Sequence, residues 1–260
     1  MIVVAILAKD KESVLPAYLN CLLNQTYPKK NIHLYIRTND NKDNTEQILS
    51  EFIRTYASEY ASVYFNNTSI SETLKKYENH EWNTERFTIL DKIRQESIDH
   101  AIILGTHYFV ADCDNFIIPS VLQDMINKKQ FAIISPMLDS SCNYSNYHSS
   151  VDNNGYFKVD DIYSKIRLKT QTGLILVPVV HCIYFIDNKY LPHVSYDDRS
   201  HRYEYVIFSD VLRKKGIPQF LDNSKDYGFI TFATTAEEFK IDYERDILKK
   251  YRYLINGKED

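Results

Sequence analysis

Two aspartates spaced two residues apart, Asp112 and Asp114, follow the apolar run His107-Tyr108-Phe109-Val110-Ala111. Strand side chains alternate with a period of two, so a strand that ends in carboxylates at i and i+2 points both out of the same end. Two convergent carboxylates on a rigid strand suit a hard divalent cation, Mn²⁺ or Mg²⁺, which shares its coordination sphere with waters and substrate phosphate oxygens. The predicted chemistry is to hold a nucleotide diphosphate and neutralise it as it leaves.

Other residues carry weaker signals. Arg37-Thr38-Asn39-Asp40 leaves a predicted second strand. Thr38 and Asp40 there suit hydrogen bonds to a base or ribose and suit turn chemistry equally; Asp43 and Asn44 are explained by turn and cap chemistry. Arg86 falls in the first turn of a predicted helix, where a cation opposes the helix dipole. An anionic or aromatic partner, or a surface salt bridge with Glu81 or Asp91, would account for it. His181 follows Val179-Val180 on an apolar strand and reads as a satisfied core group before it reads as a ligand. Glu204 opens a helix after a polar loop, a position the dipole favours. The same place suits a general base that takes a proton from an attacking hydroxyl.

The elements that must position these groups are readable from periodicity. Segments 2–8 and 32–37 read as strands, and residues 12–24 between them carry Val14, Leu15, Tyr18, Leu19, Leu22 and Leu23 at helical spacing. A second helix over about 44–57 is expected, with Asn44 and Gln47 as a capping box. A short strand (62–65), a polar loop (66–82) and a helix over about 84–102 stopped by Gly105 lead to the strand that delivers Asp112 and Asp114. Pro119 opens a short helix, and 131–135 is another strand. Residues 139–172 read as irregular with few core positions, and Leu174 to Phe185 as one strongly β-prone stretch. A helix over about 203–215, a strand (217–221), the segment Gly228-Phe229-Ile230 and a charged amphipathic helix over 237–260 complete the chain. This is one α/β domain with a central, mostly parallel sheet flanked by helices. A nucleotide-binding half (about 1–115) joins an acceptor half (about 116–232), with the site at the carboxyl ends of the strands.

The chain has 260 residues and 44% apolar content, enough for a full core. A net charge of −4 offers no basic field for nucleic acid. The 21 tyrosines read as a composition bias shared with Asn, Lys and Ile ahead of a groove-lining role. Six glycines form neither G-x-G-x-x-G nor G-x-x-x-x-G-K, which argues against a Rossmann dehydrogenase or a P-loop NTPase. No G-x-S-x-G elbow marks an α/β-hydrolase. Cys21, Cys113, Cys142 and Cys182 lack C-x-x-C spacing, so zinc and thioredoxin-type readings fail. No apolar run has the length of a membrane span. The N-terminal run reads as a buried strand rather than a signal peptide, so a cytoplasmic setting is expected, with the ER lumen only if a signal precedes it. The tail places Tyr243, Ile247, Tyr251 and Leu254 on one face; packing on its own domain is the first expectation and a homodimer the second.

Taken in order, these segments resemble the procollagen galactosyltransferase family, in its N-terminal GT-A-type domain. The matching stretches are Val3 to Ala8, Leu15-Pro16-x-Tyr18-Leu19, Tyr27-Pro28, Asp43-Asn44-Thr45, Trp82-x-x-Glu85-Arg86, Ala111-Asp112-x-Asp114-Asn115, Pro136 to Ser140, Tyr144-Ser145-Asn146, Val177 to His181 and Tyr227-Gly228. The likeness spans roughly residues 2–232. It implies inverting transfer of a hexose, galactose first and glucose or GlcNAc as alternatives, from a UDP-sugar to hydroxylysine of collagen-like protein. It also implies Mn²⁺ between Asp112, Asp114 and the diphosphate. Donor contacts would come from Ala8, Thr38, Asp40, Arg86, Asp112 and Cys113, and acceptor-side residues would be Asp139, Tyr144, Asn146 and His181. Three departures stand out. Such family members are secretory and carry a second GT-A domain, so this chain reads as a stand-alone microbial or viral homologue. The acidic pair expected before the last core helix is reduced to Tyr203-Glu204, which leaves Glu204 as the base. The His-Arg expected before Tyr-Gly is Lys225-Asp226, which leaves Asp226 as candidate third metal ligand. A catalytically silent GT-A domain that binds a partner is the rival from another class.

Overall fold

The computed structural model describes residues 1–70, 84–140, 142 and 144–256. Trp82, the loop around it and Asn143 lie outside the described residues. The chain opens with β1 (Ile2–Ala8), α1 (Leu15–Leu23), β2 (Ile32–Thr38), α2 (Thr45–Tyr56) and β3 (Ser62–Asn66). There follow α3 (Thr84–Leu104), β4 (His107–Ala111), β5 (Asn115–Ile117), α4 (Val121–Asn127), β6 (Ile133–Pro136), β7 (Asp139–Ser140) and β8 (Tyr147–His148). Then come α5 (Asp161–Arg167), β9 (Leu174–Val177), β10 (Val179–Val180), β11 (Ile183–Ile186), α6 (Glu204–Lys214), β12 (Gln219–Asp222) and β13 (Gly228–Ile230). The last helices are α7 (Ala236–Glu244) and α8 (Arg252–Asn256).

Eight strands form one sheet in the order β3-β2-β1-β4-β11-β6-β12-β9. The first four strands run parallel, β11 is antiparallel to both neighbours, β6 and β12 are parallel, and β9 closes antiparallel. Both faces are covered, which is why β1 reads as a continuous apolar run. Val4 and Ile6 pack with α1 and α2 on one side. Val3 and Ala5 pack with Ile98 and Ala101 of α3 and Phe208 and Leu212 of α6 on the other. Strand order reverses between β1 and β4, the place where open α/β sheets leave a crevice at the strands' carboxyl ends.

Several expectations are corrected. The first helix starts at Leu15, because Pro16 fits only the first turn and Lys11 O closes a preceding turn with the Val14 and Leu15 amides. Asn44 does not cap α2. Its side chain donates to Glu12 Oε1 at 2.8 Å, while Asp43 Oδ1 accepts the Thr45 amide at 2.9 Å. Leu174 to Phe185 is three strands, since Pro178 interrupts it and Cys182 turns with φ +64°. Residues 139–172 hold a helix, α5, N-capped by Asp160, and bury Tyr147 and Ile166. The tail is broken at Arg245, whose φ/ψ of −62°/144° ends α7. Beyond it, Leu248, Tyr251 and Leu254 are buried in the chain's own core, with Tyr251 stacked on Phe229. That packing places Tyr251 and Leu254 of the apolar face in the chain's own core; the Tyr243 and Ile247 side chains lie outside the described residues.

Gly228 is required by close approach. Its φ is +144°, and an added Cβ would lie 1.9 Å from Phe116 O, where β13 pairs with β5. β13 leads directly into Thr231, whose amide donates to Asp114 O at 3.0 Å, so the strand supports the acidic turn. Gly228→Ala is expected to cost about 3 kcal/mol or more by strain at a tight site. Urea unfolding checks this, and an unchanged midpoint would contradict it.

Candidate functional site

A cleft of about 530 Å³ opens at the carboxyl ends of β1, β2 and β4. The β1 end contributes Ala8, Lys9 and Lys11; the β2 end, Arg37 and Asn39; the β4 end, Asp112, Cys113 and Asp114. α3 supplies Arg86 and Arg94, α6 supplies Glu204 and Tyr205, and Tyr144 and His181 form a further wall.

The acidic turn is pinned by its backbone. The Asp112 amide donates to Cys182 O at 2.9 Å, and the Asn115 amide donates to Asp112 O at 2.9 Å. Cys113 turns inward, its thiol 3.5 Å from Leu7 O, while both aspartates face the cleft. Each carboxylate already has a cationic partner. Arg94 Nη2 donates to Asp112 Oδ1 at 2.8 Å, and Lys11 Nζ to Asp114 Oδ2 at 2.8 Å. The two side chains remain 27% and 24% exposed, so other oxygens can reach them. Two accessible carboxylates fit a hard divalent ion that takes its remaining ligands from water and phosphate. Among the described residues no group of three His, Cys, Asp or Glu gathers into a complete cage.

Arg94 reaches Glu204 as well, Nε to Oε1 at 3.8 Å, so one buried guanidinium lies between the strand-end carboxylate and the helix-end carboxylate. Its Nε and Nη1 have no hydrogen-bond partner. Burial raises the Glu204 carboxyl above the ordinary glutamate range, against the pull of Arg94 and of amides at the start of α6. Asp91, one turn before Arg94, is pushed up to about 7 by burial and then by the charge of Glu204. Burial also raises Asp112, opposed by Arg94. Burial lowers the Lys11 ammonium, but Asp114 more than reverses this and holds it charged. His181 stays neutral, held well below its usual range by burial and then by His148. It stacks on Tyr205 with centroids 4.7 Å apart, and its Nδ1 lies 3.3 Å from the Tyr144 hydroxyl.

Ala8, Arg86, Asp112, Cys113, Asp114, Tyr144, His181 and Glu204 therefore share one cleft. Thr38, Asp40, Asp139, Asn146 and Asp226 are not among its walls. Thr38 is buried and accepts from Asn41 Nδ2 at 2.7 Å. Asp40, at φ +48°, braces the loop through the Ile70 amide. Asn146 is a buried strut between Leu138 N, Ser135 Oγ and Pro136 O. Asp139 takes the Tyr251 hydroxyl at 2.8 Å and Lys250 at 2.7 Å, latching the tail. Asp226 pairs with Lys250 at 2.9 Å and with Lys169. Sequence reading named Asn39 and Asp91 only beside other candidates, and passed over Lys11, Arg94 and Tyr205. For Arg94 a signal existed: it lies on the stripe Ile93, Ser97, Ile98, Ala101 that α3 buries.

The sequence model described as "Glycosyltransferase family 25, N-terminal domain" matches residues 1–249. Procollagen galactosyltransferase 1-B of Xenopus laevis is 27% identical over 98% of this chain and 44% of its own length. Procollagen galactosyltransferase 2 of Mus musculus is 30% identical over 87% of this chain and 38% of its own. Inactive glycosyltransferase 25 family member 3 of Mus musculus is 27% identical over 98% and 45%. The chain thus spans less than half the length of these relatives. Among solved structures, S. aureus TarS 1–349 in complex with UDP-GlcNAc superposes with a TM-score of 0.57 at 14% identity, covering 98% of this chain and 65% of that one. GalNAc-T7 with UDP, GalNAc and Mn²⁺ gives 0.57 at 16% identity, covering 97% and 49%. These likenesses establish a GT-A-type fold.

Proposed function

The chain belongs to the glycosyltransferase family 25 N-terminal domain family, and from that premise we propose that it transfers a hexose from a UDP-sugar to an acceptor hydroxyl with inversion. The observation that carries this reading is the placement of Asp112 and Asp114 in one cleft with Glu204, joined through Arg94. Asp112 and Asp114 would hold Mn²⁺ or Mg²⁺, whose chemistry there is Lewis-acid neutralisation of the departing diphosphate. Glu204 accepts the proton of the acceptor hydroxyl as that oxygen bonds to the anomeric carbon and the carbon–phosphate oxygen bond breaks. UDP leaves, and a single displacement inverts the centre. Tyr144, His181 and Tyr205 form an aromatic wall on the acceptor side. Residues up to about 115 supply the donor-binding half and residues 116–232 most of the acceptor half. Galactose as the sugar and hydroxylysine of collagen-like chains as the acceptor follow from the relatives' names.

A second reading has its own support. A relative named inactive is 27% identical, the same as procollagen galactosyltransferase 1-B of Xenopus laevis, and Asp226 is paired with lysines. A silent domain would keep the fold and bind a partner without turnover.

UDP release from UDP-galactose, UDP-glucose and UDP-GlcNAc, with Mn²⁺ or EDTA and with or without a hydroxylysine peptide, separates the two. Asp114→Ala should lower turnover about 100-fold or more, the scale of losing one stabiliser of developing charge, with circular dichroism unchanged. Turnover that survives both this change and EDTA would sink the metal assignment. Absence of release with every donor would favour the silent domain.

A further inference from the structure

Both candidate metal ligands carry an internal counter-ion, and the two counter-ions differ in kind. Arg94 is buried, fixed on α3, and shared between Asp112 and Glu204. Lys11 arrives from the loop after β1 on a flexible stem and is 26% exposed within the open cleft. Its backbone cannot follow its side chain. The Lys11 amide donates to Thr45 Oγ1 at 2.7 Å, and its carbonyl closes the turn into α1. The loop is interlocked with the one after β2, through Lys42 N on Asp10 Oδ1 at 2.6 Å and Glu12 N on Asp43 Oδ2 at 2.9 Å. Only the ammonium can move, and it can only swing within the cleft.

A divalent ion shared by Asp112 and Asp114 competes with these cations, since the Lys11 ammonium lies 2.8 Å from Asp114 Oδ2 and Arg94 Nη2 lies 2.8 Å from Asp112 Oδ1. Expelling Arg94 would leave a buried guanidinium and Glu204 unpaired, which is costly. Lys11 is the one that can yield. An ammonium released from Asp114 needs a new anion in the same cleft, and a nucleotide diphosphate beside the metal supplies it. We propose that Lys11 is a displaceable plug on Asp114 that opposes divalent-metal binding until a nucleotide diphosphate takes over its charge, so that metal and nucleotide bind as a coupled pair. This rests on the donor-site reading above. Such coupling between two ligands is reciprocal.

The test uses the full chain and reads binding, not turnover. Free Mn²⁺ is measured by electron paramagnetic resonance in titrations with and without UDP. Lys11→Met should bind Mn²⁺ alone about 10-fold more tightly than wild type, so the factor by which UDP tightens Mn²⁺ binding shrinks by about the same amount. Lys11→Arg, which keeps the charge, should keep weak binding of Mn²⁺ alone. An unchanged or weaker Mn²⁺ affinity in Lys11→Met, with Mn²⁺–UDP binding intact in wild type, would overturn the plug and leave the donor site standing. Equal tightening in Lys11→Met and Lys11→Arg would overturn it too. Failure of wild type to bind Mn²⁺ even with UDP present would overturn the donor-site reading and this inference with it.

Discussion

Glu204→Gln should lower the rate of transfer about 1,000-fold, within the range attributable to a positioned general base, and leave UDP-sugar affinity within a few-fold of wild type. The substitution keeps the shape of the side chain at the start of α6 and removes its capacity to take the acceptor's proton. The wild-type pH profile supplies an independent check. Burial raises the Glu204 carboxyl, with Arg94 opposing it. The base works only when ionised, so activity should fall as pH drops through a value above the ordinary glutamate range. That acidic limb should vanish from the residual activity of Glu204→Gln. Rates of UDP release across a pH series measure both. A variant that retains rates within about 10-fold of wild type would overturn the assignment of Glu204 as the base.

The parts of the fold that the sequence made legible are those governed by local rules. β1 and β4 are buried on both faces, and their continuous apolar runs show it. Gly105 with φ +64° ends α3 where a left-handed residue was expected. Asp112 and Asp114 were expected at the end of β4 and do share the cleft, but β4 ends at Ala111 and a turn closed by the Asn115 amide on Asp112 O presents them, which period-two alternation does not describe. What was hidden depends on partners far away in sequence. Asp226 was chosen for its place before Tyr227-Gly228, and Lys169 and Lys250 decide its surroundings. Asp139 and Asn146 sit in family-like stretches, yet one latches the tail and the other braces the backbone beside β6. A matching motif does not distinguish a strut from a ligand contact. The pairing of Lys11 with Asp114 spans 103 positions, and nothing in the local sequence announces it.

Arg94 shows the same point at higher cost. On a helix stripe formed with Ile93, Ser97, Ile98 and Ala101, an arginine can be buried only if acidic groups from elsewhere meet it, and β4 and α6 each bring one. Arg94→Met should therefore destabilise the protein by about 3–5 kcal/mol, the range for breaking a buried charge set by removing one partner. For a chain of this size that is a drop in melting temperature of roughly 10 °C. The loss should depend on pH with a definite sign. Without the guanidinium, the folded-state value of Glu204 rises further above its unfolded value. The native state then holds a proton the unfolded chain has released, and stability falls as pH rises. The deficit of Arg94→Met should thus be larger at pH 8 than at pH 5. Adding Glu204→Gln to Arg94→Met should recover part of it at pH 8, a non-additivity expected of residues in one charge set. Thermal unfolding of the two single variants and the double variant at both pH values tests this. A melting temperature of Arg94→Met within about 2 °C of wild type would mean that the buried guanidinium is not what holds the two acidic elements together.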